Sequence, residues 1–193
     1  MSELLLIALG AALVNNFVLV QLLGVCPFVN GSQRVEGAIG MGLAMGLVLT
    51  LASGATQLLD RYVLRPYELE HLRLFALLAA IGAAVAVAEL AIRRFAPVLR
   101  RLLGLYIPLV TTNCAVLGVA LINTAASRSF VAALFYGAGA ALGFGLALTL
   151  FAGLRERVAA ADVPVAFRGA PITFMTAGIL SLAFLAFAGF ARL

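Results

Sequence analysis

The spacing of charge constrains this chain more than any other feature of its sequence. Six apolar stretches follow one another, over about 4–24, 36–59, 72–92, 102–123, 129–153 and 171–191. Each is close to the roughly 20 residues a helix needs to cross the hydrocarbon core of a bilayer. A backbone in hydrocarbon has no water to bond, so each crossing segment must satisfy its own N–H and C=O groups, as an α-helix does. The sequence therefore predicts an all-α integral membrane protein with six transmembrane helices, in a single membrane domain over 1–193. Composition agrees: 64% of residues are apolar and 11% charged, against about a quarter charged in soluble domains. The connecting segments hold nearly all the charge, with Pro66, Pro97 and Pro164, residues that stop helices.

A net charge of +5 and a pI near 10 raise the question of nucleic acid. That class is excluded by where the charge lies. Every cation but the single histidine is arginine, set in short loops between apolar runs, which is how membrane proteins fix their orientation. A nucleic-acid surface needs a continuous basic face. The first run starts at Leu4 behind Glu3, without a positive leader, so it reads as a helix of the protein and not as a cleaved signal peptide.

Six crossings place both ends of the chain on one side. The first, third and fifth loops carry Arg34, Arg93, Arg94, Arg100, Arg101, Arg155, Arg157 and Arg168. The opposite side carries Arg61, Arg65, Arg73, Arg128 and Arg192. The richer side is expected in the cytoplasm, with both termini in the periplasm.

An internal repeat organises the spans. Gly46-Leu-Val-Leu-Thr-Leu-Ala-Ser-Gly54 in the second span matches Gly145-Leu-Ala-Leu-Thr-Leu-Phe-Ala-Gly153 in the fifth at six of nine positions. The first span of each half holds a polar cluster with a cysteine. One is Asn15, Asn16, Gln21, Gly24, Cys26 and Pro27; the other is Thr111, Thr112, Asn113 and Cys114. Each half, about 1–95 and 96–193, contains three spans. Three is odd, so the halves are inverted relative to one another, an arrangement that places functional sites near the midplane. Amides in mid-span are costly unless paired. Both helices are therefore expected to be interrupted there, helped by Gly24, Pro27 and Pro108.

The two cysteines admit several roles. A buried cysteine is commonly a small hydrophobe. A disulfide is chemically possible, though nothing resembles a secreted framework. Two thiolates can also bind metal, but tetrahedral zinc and two-iron, two-sulfur clusters need four ligands. His71 is the single histidine and belongs to a loop, so a metal site would need ligands from another polypeptide. The same inventory disfavours a haem axial pair. No phosphate-cradling loop, catalytic triad or carboxylate pair is apparent, and the recurrent glycines fit close helix packing.

At these residues the chain resembles a known family. Asn15-Asn-Phe-Val-Leu-Val-Gln-Leu-Leu-Gly-Val-Cys-Pro-Phe28 and Pro108-Leu-Val-Thr-Thr-Asn-Cys-Ala-Val-Leu-Gly118 look like signature segments of the small membrane subunits of the Rnf/Nqr family, A/E type. Arg155-Glu-Arg-Val-Ala-Ala-Ala-Asp-Val-Pro-Val-Ala-Phe-Arg-Gly169 is similar to the loop before the last helix there. Length and loops are nearer the A kind. The resemblance implies a respiratory complex in the bacterial inner membrane that moves electrons between ferredoxin and NAD, coupled to Na+ or H+ translocation. It implies a homologous E-type partner of opposite topology. It also implies a [2Fe-2S] cluster shared between the two, with Cys26 and Cys114 as this chain's ligands. Asn15, Asn16, Gly24, Pro27, Thr111, Thr112 and Asn113 would form the cluster environment. Such a protein relays electrons and performs no hydride chemistry.

Other polar residues stand beside these. Ser53-Gly-Ala-Thr56 resembles a motif that carries covalent flavin in other subunits of such complexes, but its upstream acidic residue is missing. Glu89 is an intramembrane acid, a functional candidate by default, and more simply a partner for Arg93 one turn later. Thr173 and Thr176 are expected to bond their own helix backbone. Without the family, the residues support a small inverted-repeat transporter or channel nearly as well as an electron relay.

Overall fold

The computed structural model describes residues 2–14, 16–32, 35–64, 72–95, 113–126, 128–164 and 167–190. Among them all regular structure is helical. Helix α1, Ser2–Leu9, continues into a π-turn at Gly10–Val14. A short α2 follows at Val25–Gly31. Helix α3 spans Val35–Leu59 and extends through a second π-turn, Asp60–Leu64. Then come α4, Arg73–Phe95; α5, Cys114–Ala125; α6, Phe130–Ala159; and α7, Ala170–Phe190.

Three segments are long and apolar enough to cross a membrane: Val35–Leu64, Arg73–Ile92 and Phe130–Ala159. Leu4–Val14, Cys114–Ala125 and Ala170–Ala186 are shorter apolar helices. Hydropathy marks the first run as continuous over 4–24; the structure divides it, as its mid-span amides require. The start of the fourth run lies outside the described residues. Helix α6 runs to Ala159, beyond the expected end at 153. At 1.5 Å per residue it is about 45 Å long, so its charged last turn clears the hydrocarbon.

The centre of the molecule is the pair α3 and α6, which make the most extensive contact in the chain. They are antiparallel. The Val35 N–H donates to Glu156 Oε1 at 3.1 Å at one end, and Gln57 Nε2 donates to the Arg128 carbonyl at the other. Between these ends the helices touch through glycine. A Cβ on Gly42 would lie 3.1 Å from Gly145 Cα, and one on Gly46 would lie 3.6 Å from Ala141 Cβ. Positions 42 and 46 precede 141 and 145 by 99 residues. Exchanging the repeats therefore turns one contact into the other, the signature of a local twofold relation between α3 and α6. The groove on their outer face obeys the same rule, pairing Ile39 with Ala138, Leu43 with Leu142 and Thr50 with Thr149.

Helix α1 lies on α6 at very short range. A Cβ on Gly139 would collide with the Ala8 carbonyl oxygen, and one on Gly143 would stand 2.6 Å from that of Ala12. Only glycine permits backbones to approach this closely. The interior holds Phe17, Met41, Met45, Leu49, Phe144, Leu148 and Phe151, all nearly inaccessible. Leu142, Ile179 and Leu182, by contrast, are each 70% exposed, the surface expected where lipid is the solvent.

Candidate functional site

Asn16 is where the first helix stops. Its Oδ1 accepts the Val18 N–H at 3.1 Å, and its Nδ2 donates to the carbonyls of Ala12 at 3.2 Å and Gly143 at 2.9 Å. An asparagine that bonds the backbone two residues on offers the chain an alternative to helix. The following residues form turns: Val20 N–H donates to Asn16 O at 2.8 Å and Leu23 N–H to Phe17 O at 3.1 Å. Leu22 has φ 55° and Gly24 φ 83°. The left-handed region costs a non-glycine residue about 1–2 kcal/mol, so Leu22 stores strain at this break. Helix α2 then begins, with Cys26 and Pro27 in its first turn. Proline is tolerated there because its missing N–H would have had no intrahelical partner.

The start of α5 is built on a similar asparagine. Asn113 caps α5: its Oδ1 accepts the Ala115 N–H at 3.0 Å, and its Nδ2 donates to Met45 Sδ at 3.4 Å. Both asparagines are buried. Each takes the N–H two residues ahead and sends its amide to the long helix of the other half. Their targets, Gly143 and Met45, are equivalent within one residue under the 99-residue repeat. Cys114 stands one residue beyond Asn113 and Cys26 ten beyond Asn16, and each lies in the first turn of its helix.

Tertiary structure brings the two cysteine-bearing segments together. The Gly24 N–H donates to Cys114 Sγ at 3.1 Å. A Cβ at Gly24 would meet Ala115 Cβ at 3.0 Å and Asn113 Oδ1 at 3.2 Å. Cys26 follows two residues later. Both cysteines are exposed on the surface of the chain and neither forms a disulfide. Among the described residues no three His, Cys, Asp or Glu side chains gather as a metal-binding group. The juncture therefore offers two sulfurs and an outward face. Asn15, Thr111, Thr112 and Pro108 lie outside the described residues.

Comparison with known proteins adds what the geometry alone does not carry. Residues 4–191 match the family model described as Rnf-Nqr subunit, membrane protein. The chain belongs to the Rnf-Nqr family of membrane subunits. It is 54% identical over 189 residues to a protein of Azoarcus sp. (strain BH72), covering 98% of each chain. It is 53% identical over 192 residues to one of Vibrio campbellii (strain ATCC BAA-1116), covering 100% of each. A protein of Vibrio cholerae serotype O1 is 51% identical over 193 residues, again covering 100% of each chain. All three relatives are named as the A subunit of an ion-translocating oxidoreductase complex.

In this Rnf-Nqr protein the remaining candidates take simple places. Thr56 is buried within α3 and donates to the Ala52 carbonyl at 2.6 Å, which leaves it no access to a flavin. Thr173 and Thr176 bond back to Gly169 at 2.9 Å and Ile172 at 2.7 Å, as expected. Glu89 is half-buried, and the Arg93 side chain expected beside it lies outside the described residues. Phe17 stacks on Phe144 with ring centroids 6.2 Å apart, so it serves packing.

Sequence reasoning missed a second polar network, at the far end of α3 and α6. Arg128 donates to Asn123 Oδ1 at 3.0 Å and lies 4.0 Å over the Tyr136 ring. Asp60, 3% exposed, pairs with Arg73 at 3.5 Å. Arg73 and Arg128 read as ordinary loop cations. The usable signal was Gln57 and Asp60, one turn apart at the end of an apolar run.

Proposed function

We propose that this chain is an electron-relay subunit of an ion-translocating oxidoreductase, holding half of an intramembrane [2Fe-2S] cluster through Cys26 and Cys114. The observation that carries the reading is the Gly24–Cys114 hydrogen bond of 3.1 Å. It supports a shared site because it joins the two cysteine segments, distant in sequence, at one outward-facing place. The donor set fits such a group by halves: two thiols here, and a requirement for two more. A homologous E-type subunit of opposite topology is the partner whose chemistry completes it.

When bound, the cluster supplies one-electron transfer. The residues of this chain do the rest. Cys26 and Cys114 provide sulfur ligands from two different helix starts. Gly24 presents a backbone N–H to the Cys114 sulfur, and hydrogen bonds to ligand sulfur tune reduction potential. Asn113 fixes the beginning of α5, so Cys114 is held by a capped helix. Asn16 ties the first break to Gly143, near the middle of α6.

The exchange symmetry of Asn16 and Asn113 supports two inverted three-helix halves, 1–95 and 96–193, in a six-span chain. Arginine distribution supports the inner membrane, with the loop after α6 in the cytoplasm and both termini in the periplasm. Ion translocation, of Na+ or H+, belongs to the complex in which the protein sits.

Low-temperature EPR of the dithionite-reduced complex, beside a Cys26→Ser variant, tests this reading. We expect a two-iron, two-sulfur signal that disappears in the variant while the complex stays assembled. An intact, iron-analysed complex without such a signal would overturn it and leave the inverted-repeat transporter as the better account.

A further inference from the structure

Helix α2 carries Cys26 and has only seven residues, too few to be stable alone. Something else must hold it, and its ring stack and its side-chain-capped carbonyl both fall on one end of α6. Phe28 of α2 stacks on Phe151 with centroids 4.6 Å apart and planes 19° from parallel. One turn later, Arg155 sends the same guanidinium nitrogen to the Val29 carbonyl at 2.7 Å and to Ser32 Oγ at 2.8 Å. Val29 is among the last carbonyls of α2, the groups a helix end leaves without intrahelical partners. Ser32, fully buried, donates in turn to the Val29 carbonyl at 3.1 Å. The neighbouring Glu156 then takes the Val35 N–H at the start of α3. Successive residues of α6 thus cap the end of one helix and the beginning of the next.

We propose that Arg155 is a positioning residue for Cys26, acting with Phe151 as a clamp on α2. The inference rests on the relay reading above for what Cys26 binds, but the clamp itself is a matter of this chain's own contacts. Cys114 is held by a different device, the Asn113 cap and the Gly24 N–H. Loosening the clamp therefore frees Cys26 and its neighbour Gly24, while the Asn113 cap still holds Cys114 at the start of α5. A charge-assisted bond to a part-buried carbonyl and a buried serine is the strong kind. Nearby Arg157 is exposed and serves as the control for loss of charge.

The experiment uses the co-purified complex carrying Arg155→Gln, Arg155→Lys, Phe151→Leu or Arg157→Gln. Iron release to a ferrous chelator should quicken by about 10- to 100-fold in Arg155→Gln, the usual range for losing a group that orients a metal ligand. The EPR line shape should broaden with it. Arg155→Lys should recover most of the effect, because a single nitrogen makes both bonds. Arg157→Gln should match the unaltered complex. A second readout needs no cluster: a nitroxide on Cys26, in a Cys114→Ser background, should become more mobile in Arg155→Gln and in Phe151→Leu. Unchanged label mobility and iron release in Arg155→Gln would overturn the clamp. A mobile label in a complex that never shows iron would sustain the clamp and sink the relay. If Arg155→Gln fails to assemble, Arg155→Lys and Phe151→Leu decide by the same label.

Discussion

The Asn16 side chain donates to the carbonyl of Gly143, 127 positions away, at 2.9 Å. One amide therefore ends the first helix and fastens its broken end to the middle of α6. Asn113 begins α5 and fastens that start to Met45 of α3. This exchange between halves is the framework on which the two cysteines hang.

Replacing Asn16 by alanine removes an amide that is fully buried and makes three hydrogen bonds. We expect a loss of about 1–3 kcal/mol, the cost of leaving buried backbone groups unpaired. Gly143→Ala should do comparable harm by steric means, since its Cβ would fall 2.6 Å from a backbone oxygen, and overpacking costs about 1–3 kcal/mol. Thermal unfolding of the detergent-solubilised protein measures both; an unchanged midpoint in Gly143→Ala would show that α1 does not sit so close.

Gly24 carries two constraints at once. Its φ of 83° is unfavourable for any side chain, and a Cβ would press on Ala115 and Asn113. Gly24→Ala should cost about 1–2 kcal/mol from conformation alone and lengthen the bond to Cys114 Sγ. The check is cluster content by EPR and iron analysis in the assembled complex. A variant as iron-rich as the parent, with an unaltered spectrum, would contradict the assigned geometry.

Asn113 should tolerate serine better than alanine. Serine can still accept the Ala115 N–H at the start of α5, whereas alanine forfeits the cap at about 0.5–2 kcal/mol. Serine cannot reach Met45 as the amide does, so its recovery should be partial. Unfolding midpoints of the two variants, measured side by side, settle the order.

Arg128, Asn123 and Tyr136 should behave as a coupled set. A double-mutant cycle between Arg128→Met and Tyr136→Leu should give a coupling of about 1–2 kcal/mol, the range for a partly desolvated cation over an aromatic ring. Additive losses would mean that Arg128 stays for its bond to Asn123 alone.

Orientation is testable through the loops. Alkaline phosphatase inserted after Ala161 should be inactive, and inserted at Ala126 active, if the arginine-rich side is cytoplasmic. The opposite pattern would invert the whole chain and exchange the compartments of the clamp and the Arg128 network.

Much of the site is legible in the residues alone. Asn16, Gly24, Asn113 and both cysteines stand out because polar residues in mid-span are expensive and must have a use. The repeat at 46–54 and 145–153 marks the pair of helices that form the centre. The identity of the partners is not legible. Met45 and Phe151 look like ordinary core residues, and Arg155 reads as a surface charge until its carbonyl partner 126 positions away is seen. Span boundaries shift for a related reason: hydropathy marks where lipid begins, while hydrogen bonding decides where a helix ends.

The sequence alone determined the solvent and the secondary structure. Transfer free energy and backbone satisfaction act residue by residue, so the apolar runs, the helical class and the break in the first run could be read in order along the chain. Tertiary structure alone decided that Asn16 meets α6 and Asn113 meets α3, that Gly24 touches Cys114, and that α6 holds α2 in place. Those outcomes are contacts between segments distant in sequence, such as Gly42 with Gly145 and Arg155 with Val29, and no local property of the sequence encodes them.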